Sequence, residues 1–342
     1  MTELNQDILV KVEELMPLVS DRLAKAGLNR AHANLVSEVL VHADLRGVRS
    51  HGVIRTEHYV TRLKAGGLTK NPTFSFQQIR KGAGLLNADG GMGHAACKEA
   101  MDHAITLARE SGIAMVGVED GSHCGALSYF VFQAVRAGMV GIALTHTDKC
   151  VAPFGGAKPF FGTNPIAFGF PCKEKPPVVI DMATSNTAYG KILHAREKDT
   201  SIPNDWGLDE KGATTTNPHK VQALLPFGGP KGYGIGMAID VLTGVLIGAQ
   251  FGPNITAMYG DYKKKRGLAS LMIAIDPATF ISAEYFMTQM DRMVSELHAQ
   301  PPQPGFDRVQ APGDPEIALE AENRKNGIPV LASIYEYLQG KV

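Results

Sequence analysis

The sequence predicts an α/β protein whose sheet region lies between helical segments at the two ends of the chain. Apolar runs of strand length, such as residues 113–118 and 140–144, alternate with helical periodicity through the middle. Both ends carry helical periodicity instead. With 342 residues, of which 44% are hydrophobic and 20% charged, the chain is long enough to bury a large core.

The helical segments at the two ends are predicted to form one domain. Leucines and valines recur at helical spacing over residues 7–26 and 30–45, and a third helix is expected over residues 55–63. A turn at Asn71 and Pro72 and the proline-rich residues 301–305 mark the boundaries. The expected domains are therefore residues 1–72 plus 301–342, which are helical, and residues 73–300, which contain the sheet.

The middle of the chain alternates between strands and helices. The apolar runs predict strands over residues 84–88, 113–118, 140–144, 166–170, 178–180 and 271–275. Helices are expected from about residue 93, after the turn at His123 with an end at Gly138, and over residues 283–299, with a long buried helix opening at the glycine-rich residues 228–234. Residues 201–219 are predicted to be an irregular loop, and a last helix carries Glu316 and Glu320.

Charge and cysteine content exclude several classes of function. The 34 basic residues balance the 34 acidic ones, so no overall field favours nucleic acid or an anionic membrane. The one basic run, residues 263–266, is interpreted as a solvated loop. The four cysteines form no CxxC pair, which argues against a zinc site and a disulfide framework. No signal peptide or membrane span is predicted, so a cytoplasmic location is expected.

A glycine motif after the first strand imitates a dinucleotide-binding turn. Gly91, Gly93 and Ala96 fit the G-x-G-x-x-A pattern at the start of a predicted helix. The nearest acidic residues at a strand end, Glu119 and Asp120, lie beyond the usual spacing of about 20 residues. Because the chain holds 37 glycines, such a pattern arises easily, and a plain strand-to-helix turn is favoured.

A second turn carries a titratable group. The apolar run at residues 113–118 stops at Gly-Ser-His-Cys-Gly, residues 121–125, and a helix follows. Junctions of this kind commonly present reactive groups in α/β proteins. His123 is therefore either an acid or base that works near neutral pH, or a turn residue that caps the following helix.

Several strings together resemble the malate/L-lactate dehydrogenase-2 family of NAD(P)-dependent 2-hydroxyacid oxidoreductases. They cover nearly the whole chain, and Arg49 departs from the family pattern, in which an acidic residue is frequent at that position. The strings are Ala-Asp-Leu-Arg-Gly-Val-Arg-Ser-His-Gly at 43–52, Gly-Ser-His-Cys-Gly-Ala at 121–126, Pro-Phe-Gly-Gly at 153–156, Gly-Thr-Asn-Pro at 162–165, Asp-Met-Ala-Thr at 181–184 and Gly-Pro-Lys-Gly-Tyr-Gly at 229–234.

The resemblance implies a fold, a reaction and a set of partners. The fold would be the family's own mixed-sheet NAD(P)-binding α/β fold, which is not a Rossmann fold, and the domain of residues 73–300 would bind the cofactor. The cofactor would be NAD, the substrate a small 2-hydroxy acid, and the protein a homo-oligomer, a dimer or larger. No spacing typical of metal ligands is present, so the site is expected to hold no metal.

Two histidines compete for the proton transfer that oxidation of a hydroxyl requires. By resemblance, His123 would be the proton acceptor. His51 matches a position that some relatives use as the proton donor. It could instead bind the substrate carboxylate or a urea group, or pack at a helix end.

Substrate-binding residues are expected around His51. Arg55 follows His51 by four residues and Tyr59 follows Arg55 by four, so on a helix all three project from one face. A guanidinium there suits a carboxylate, although a surface ion pair is the alternative for Arg55. The same substrate site would include Ser50 and, by resemblance, Asp148 close to the reacting centre.

Cofactor-binding residues are expected at strand ends and helix starts. By resemblance Thr147 would contact the cofactor. The carboxylate of Asp181 could accept hydrogen bonds from ribose hydroxyls, or it could cap a helix beginning near Ser185. Lys231, at the start of a helix, could bind a cofactor phosphate. The remaining members of this predicted set are Met182, Ala183, Gly313 and Asp314.

Overall fold

A computed structural model describes residues 6–341 and confirms an α/β protein built on a mixed sheet. The strands are β1 (Asp7–Val10), β2 (Ser75–Arg80), β3 (Ala83–Asn87), β4 (Ile113–Gly121), β5 (Val140–Thr145), β6 (Ile166–Phe170), β7 (Val178–Met182), β8 (Gly207–Leu208), β9 (Ala223–Leu224), β10 (Leu268–Ile275) and β11 (Ile328–Leu331). β2 was not expected from the sequence, because its residues are mostly exposed and show no apolar alternation.

The helices follow the predicted periodicity more closely than the strands do. They are α1 (Val12–Lys25), α2 (Arg30–Leu45), α3 (Thr56–Ala65), α4 (Gly93–Ser111), α5 (Ser128–Arg136), α6 (Tyr189–Glu197), α7 (Pro230–Asp240), α8 (Ala283–His298), α9 (Asp314–Asn326) and α10 (Ala332–Gln339). Two short 3₁₀ turns, Arg49–His51 and Val53–Arg55, lead into α3. α6 begins at Tyr189 and not near Ser185, where a helix start was considered, because its residues show almost no amphipathic pattern that would place its ends.

The main sheet has seven strands in the order β2-β3-β4-β10-β5-β6-β7. Only β3 and β4 pair in parallel, and every other neighbouring pair is antiparallel. A doubly wound nucleotide-binding sheet is parallel, so this topology excludes the Rossmann fold. α4 and α5 pack on one face of the sheet over the largest apolar core. α7 lies on the other face, where Ile239 packs near Leu144 and Leu271.

The two ends of the chain meet in a second core. β1 pairs with β11, and α1, α2, α3 and α10 contribute the buried apolar side chains around this ribbon. The single helix expected over residues 7–26 is therefore wrong at its start, because residues 7–10 pair as a strand and the helix begins at Val12. The boundaries at residues 72 and 301 stay a prediction.

The glycine-rich residues 228–234 open α7 as expected, but the helix is not buried. It continues as one π-helical turn, Val241–Val245, and presents a row of large apolar side chains to solvent. Val245 is 54% exposed and Leu246 62% exposed. The same row also contains Ile235, Met237, Val241 and Leu242.

One edge of the sheet gathers the strand ends that carry the predicted site residues. The register pairs Leu268 with Gly121, Ser270 with Thr145, and Ile166 with both Leu144 and Met182. The residues that follow β4, β5 and β7 therefore lie in a row along this edge. In the part of the chain that the structure describes, no helix is long and apolar enough to cross a membrane.

Candidate active site

The turn that carries His123 is held against the start of α4 by two glycines. A Cβ on Gly93 would lie 2.0 Å from the Ser122 carbonyl oxygen, so only glycine allows the helix to approach this closely. Gly125 has a φ of +81°, and a Cβ there would lie 3.0 Å from the ring of His94. The G-x-G-x-x-A motif of the sequence thus serves contact between backbones at the His123 turn.

His123 is bound through one ring nitrogen. Its Nδ1 lies 2.7 Å from the hydroxyl of Tyr59, a fully buried residue on α3, and the Gly125 amide also points at Nδ1 from 3.4 Å. Within residues 6–341, Nε2 of His123 has no hydrogen bond. Nε2 is therefore the atom open to a substrate hydroxyl, and Tyr59 fixes the orientation of the ring.

Three imidazoles lie together around Tyr59. His51 stacks on His123 with ring centroids 5.5 Å apart, and His94 lies edge-on to Tyr59 at 5.2 Å and to His123 at 6.2 Å. Burial lowers the pKa of His51 to about 4 and that of His94 to about 3. The pKa of His123 falls well below its ordinary value through burial first and then through His51 and Arg55. All three rings are therefore neutral near pH 7.

His94 has an unusual environment for a histidine. It is fully buried, and neither of its ring nitrogens has a hydrogen bond partner among the described residues. Leaving a buried polar atom unpaired costs about 1–3 kcal/mol, so a protonated His94 would be strongly disfavoured here. Sequence reasoning missed this residue, although it stands inside the glycine motif.

The turn that carries Ser50 and His51 is fixed by Asp44 at the end of α2. The Val53 amide donates to the Asp44 carboxylate at 2.7 Å, and a Cβ on Gly52 would overlap that carboxylate. Burial raises the pKa of Asp44 to about 7, against the lowering effect of the Val53 hydrogen bond. The resemblance string at residues 43–52 therefore encodes one local structure. Its Arg49 pairs with Asp7 at 2.5 Å, away from His123.

Arg55 is placed beside the histidines and is not in an ion pair. Its Nε donates to the Ser50 carbonyl at 2.6 Å, and its Nη1 donates to the hydroxyl of Tyr259. Ser50 Oγ in turn lies 2.9 Å from His51 Nδ1. The surface ion pair that was the alternative for Arg55 is not formed with any described residue.

Asp148 is bound by an arginine that sequence reasoning assigned to solvent. Arg266, which is 3% exposed, pairs with the Asp148 carboxylate, and the Met258 amide donates to the same carboxylate at 3.1 Å. The interpretation of residues 263–266 as a solvated loop is therefore wrong for Arg266 and holds for the three lysines before it. The signal was its position two residues before β10, at the sheet edge that carries the site.

Thr147 follows β5 at this edge and is held by the next loop. The Thr163 amide donates to Thr147 Oγ1 at 3.0 Å, and the Thr147 amide donates to Asn164 Oδ1 at 3.1 Å. A Cβ on Gly162 would lie 2.1 Å from Thr147 Oγ1. The hydroxyl is therefore fixed by backbone contacts, which suits a residue that positions a ligand.

Asp181 caps a helix, but a different one from the helix considered in the sequence. Its carboxylate accepts the Ser128 amide at 2.7 Å and so caps α5. The helix expected near Ser185 begins only at Tyr189, as α6. Asp181 and Met182 are exposed and Ala183 is partly buried, so the end of β7 is open to a ligand.

The remaining cofactor candidates lie near β7. The Phe227 amide donates to the Thr184 carbonyl at 3.0 Å, which brings the start of α7, with the exposed Lys231, to the end of this strand. The Pro312 carbonyl accepts the Val179 amide at 3.3 Å, so Gly313 packs on β7. Asp314 is engaged locally, since its carboxylate accepts the Ala311 amide at 2.8 Å and pairs with His298 at 2.6 Å.

The predicted residues thus form two groups along one sheet edge. Ser50, His51, Arg55, Tyr59 and His123 form one cluster, to which Asp148 belongs through Arg266 and the Met258 amide. Thr147, Asp181, Met182, Ala183, Lys231 and Gly313 lie along the edge from β5 to β7. Among the described residues, no group of three or more His, Cys, Asp or Glu side chains could hold a metal ion.

Comparisons with known proteins give the family of this chain. A family model described as malate/L-lactate dehydrogenase matches residues 10–339. Ureidoglycolate dehydrogenase (NAD(+)) of Escherichia coli is 44% identical over 326 residues, which are 95% of this chain and 93% of the relative. A malate dehydrogenase of Pyrococcus abyssi is 33% identical and covers 97% of this chain and 93% of the relative.

A solved structure shows the same fold over almost the whole length. Sulfolactate dehydrogenase from Methanocaldococcus jannaschii superimposes with a TM-score of 0.91 at 33% sequence identity. The match covers 97% of this chain and 96% of that chain.

Proposed function

Because the chain belongs to the malate/L-lactate dehydrogenase family of oxidoreductases, we propose that it oxidises (S)-ureidoglycolate to oxalurate with NAD, a step in allantoin breakdown. A similar protein of 44% identity carries the name ureidoglycolate dehydrogenase (NAD(+)). The other members of the family that match at 33–34% identity are named for malate and sulfolactate, so the choice of substrate has to be argued from the site.

The charge of the site is the observation that carries this choice. Near His123, Arg55 is a cation that no described carboxylate neutralises. Arg266 is paired with Asp148, and Arg62 is fully buried and donates to backbone carbonyls. One available cation suits a substrate with one carboxylate and a neutral far end, as in ureidoglycolate. Malate and sulfolactate carry two anionic groups, and the second would lie among neutral imidazoles.

The proton moves through His123 in this proposal. Arg55 binds the substrate carboxylate, which places the neighbouring hydroxyl against Nε2 of His123. The neutral imidazole that can accept a proton at Nε2 carries its own proton on Nδ1. In that tautomer Nδ1–H donates to the Tyr59 hydroxyl, and the Gly125 amide, 3.4 Å away, makes no hydrogen bond to Nδ1. The bound carboxylate brings negative charge close to the imidazolium and so stabilises it. His51, stacked on His123 and tied to Ser50, binds the substrate in this account.

The open edge from β5 to β7 fits a dinucleotide. It offers a hydroxyl on Thr147, a carboxylate on Asp181, and Lys231 in the first turn of α7, where the helix dipole favours an anion. Neighbouring strands lie about 4.8 Å apart, so the distance from β5 across β6 to β7 matches part of the length of an extended dinucleotide. NAD bound here would supply the hydride acceptor. Met182, Ala183, Gly313 and Asp314 complete the proposed contacts.

The apolar row on α7 supports a homo-oligomer. Contiguous exposed apolar side chains on a helix mark surfaces that pack against another chain. A second copy of this chain is the partner proposed for this surface, which a dimer with twofold symmetry would bury against itself.

A substrate panel tests the proposed function. Initial rates of NAD reduction are measured with (S)-ureidoglycolate, L-malate, L-lactate and sulfolactate, and initial rates of NADH oxidation are measured with 2,3-diketogulonate. We expect the highest kcat/KM with ureidoglycolate. A higher value with malate or another 2-hydroxy acid would move the protein to that activity of the family, and no turnover with any of them would end the proposal of a 2-hydroxyacid dehydrogenase.

A further inference from the structure

Residues 256–266, which we call the site loop, pass beside the proposed substrate site. Buried arginines hold this loop by hydrogen bonds to its backbone carbonyls. Arg62, a fully buried residue on α3, donates to the carbonyls of Lys264 at 2.7 Å, Met258 at 2.8 Å and Ala257 at 3.3 Å. Arg266 donates to the Thr256 carbonyl at 3.2 Å and so joins the two ends of the loop. The loop is therefore anchored at both ends to residues that pack beneath it.

The anchored loop presents Tyr259 to Arg55. The Tyr259 hydroxyl accepts a hydrogen bond from Nη1 of Arg55, while Nε of the same guanidinium is held by the Ser50 carbonyl. Within the described chain, Nη2 of Arg55 has no hydrogen bond partner. Each η nitrogen carries two N–H groups, so the outer end of the guanidinium keeps a free N–H on both nitrogens for a bidentate carboxylate.

We infer that Tyr259 is a positioning residue for the substrate carboxylate, acting through Arg55. This inference rests on the proposed function and names a residue outside the predicted site. An arginine side chain that is free in solution must lose much rotamer freedom when it binds an anion. Hydrogen bonds from both sides of the guanidinium, one from the 3₁₀ turn and one from the site loop, remove that freedom before the substrate arrives.

The surroundings of Tyr259 fit a positioning role. Its ring is 50% exposed and lies edge-on to His58, with centroids 5.3 Å apart. Burial and the nearby Arg62 lower the pKa of His58 to about 4, so this ring is neutral and does not compete with Arg55 for an anion. Tyr259 thus holds the cation without changing the charge of the site.

The inference predicts a change in binding with little change in the chemical step. Preorganisation of a carboxylate-binding group serves the ground state and the transition state equally, so its loss raises KM and leaves kcat nearly unchanged. In Tyr259→Phe we expect KM for the 2-hydroxy acid to rise about 10-fold, the size expected for losing a hydrogen bond to a charged group. KM for NAD and kcat should stay within about twofold.

The matched control is Tyr262→Phe in the same loop. The Tyr262 ring also contacts His58, at 5.6 Å, but its hydroxyl has no hydrogen bond to a described residue. Both variants are compared with the parent by steady-state kinetics and by calorimetric titration with oxamate, a small 2-oxo acid amide with one carboxylate, in the presence of NADH. We expect weaker oxamate binding in Tyr259→Phe alone.

Three results would overturn the inference. These are unchanged oxamate affinity in Tyr259→Phe, a fall in kcat without a rise in KM, or an equal loss in the Tyr262 control. Failure of the proposed function looks different, because then the parent oxidises no 2-hydroxy acid while the oxamate titration still reports on the contact between Arg55 and Tyr259.

Discussion

The two ring nitrogens of His123 have different neighbours, and this difference assigns them different roles. Nδ1 is bound to Tyr59 at 2.7 Å, and Nε2 is left for a substrate hydroxyl. Tyr59 was expected from the sequence to bind substrate on the same helix face as Arg55. The structure buries it fully and places it behind the histidine. We therefore propose it as the residue that orients the base.

Replacement of the base should remove most of the activity and leave cofactor binding in place. For His123→Asn we expect kcat to fall by a factor of about 10²–10⁴, the usual contribution of a positioned acid or base. Calorimetric titration with NADH should give an affinity within about twofold of the parent. A variant that folds and turns over at the parent rate would show that another group, with His51 first among them, takes the proton.

Loss of the Tyr59 hydroxyl should have a smaller effect of the same kind. In Tyr59→Phe the ring of His123 loses its partner at Nδ1, so kcat should fall about 10–100-fold, as for other groups that orient a catalytic histidine. Tyr129→Phe is the control, because the Tyr129 hydroxyl donates to the Glu38 carboxylate at an exposed position. Equal rates for Tyr59→Phe and the parent would remove Tyr59 from the mechanism.

At the level of elements, the periodicity of the sequence predicted most helices and the buried strands. α2 and β6 begin and end where the pattern placed them. The pattern failed where burial does not follow local sequence. Residues 7–10 form a strand only because they pair with β11, more than 300 residues away. For the same reason the pairing of Arg266 with Asp148 could not be read from a basic run.

The contact between α4 and the His123 turn gives a prediction at this scale. Gly93→Ala would push a methyl group into the Ser122 carbonyl oxygen, 2.0 Å away, so the turn or the helix must shift. We expect a loss of stability of about 1–3 kcal/mol and a fall in kcat, because His123 follows directly in the displaced turn. Urea unfolding and steady-state kinetics would measure the two effects. Parent-like values in both would show that the close approach is not required.

For the whole molecule, the surface of α7 predicts association. Val245→Glu combined with Leu246→Glu would place two charges in the apolar row, so we expect the oligomer to dissociate to a monomer in multi-angle light scattering. Ile79→Glu is the control. Ile79 is 48% exposed on β2, the outermost strand of the main sheet, so this variant should leave the mass unchanged. A parent that is already monomeric, or a double variant with the parent mass, would contradict the proposed interface.

The buried histidines also make the stability of the molecule depend on pH. The folded chain holds the pKa of His94 at about 3, whereas the unfolded chain has the ordinary value of 6.5. The unfolded state therefore binds more protons below pH 6.5, and stability is lost as the pH falls from there toward 3. By pH 5 this one group should cost about 2 kcal/mol. The raised pKa of Asp44 acts in the opposite direction between about pH 4 and 7.

Variants separate these contributions. When the pH is lowered from 7 to 5, the free energy of unfolding should fall by about 2 kcal/mol more in the parent than in His94→Gln. His219→Gln, at a residue whose side chain is 53% exposed, is the matched control. The same pH dependence in His94→Gln and the parent would mean that His94 is not held neutral by the fold.

The sequence predicted the residues of the proposed catalytic cluster better than it predicted the residues that hold this cluster in place. The resemblance strings contain His51 and His123, the helical spacing from His51 added Arg55, and the structure brings the three together. Arg62, His94, Tyr259 and Arg266 act through contacts between distant segments, such as the 204 residues that separate Arg55 from Tyr259. No local pattern records such contacts, because each depends on how the whole chain folds.

The most direct test of the central claim is the structure of the protein bound to NADH and oxalurate. We predict that Nε2 of His123 lies about 3 Å from the 2-oxo oxygen, with the carboxylate of oxalurate on the outer end of Arg55. A complex in which His51 contacts the 2-oxo oxygen and His123 does not would contradict the assignment of the base.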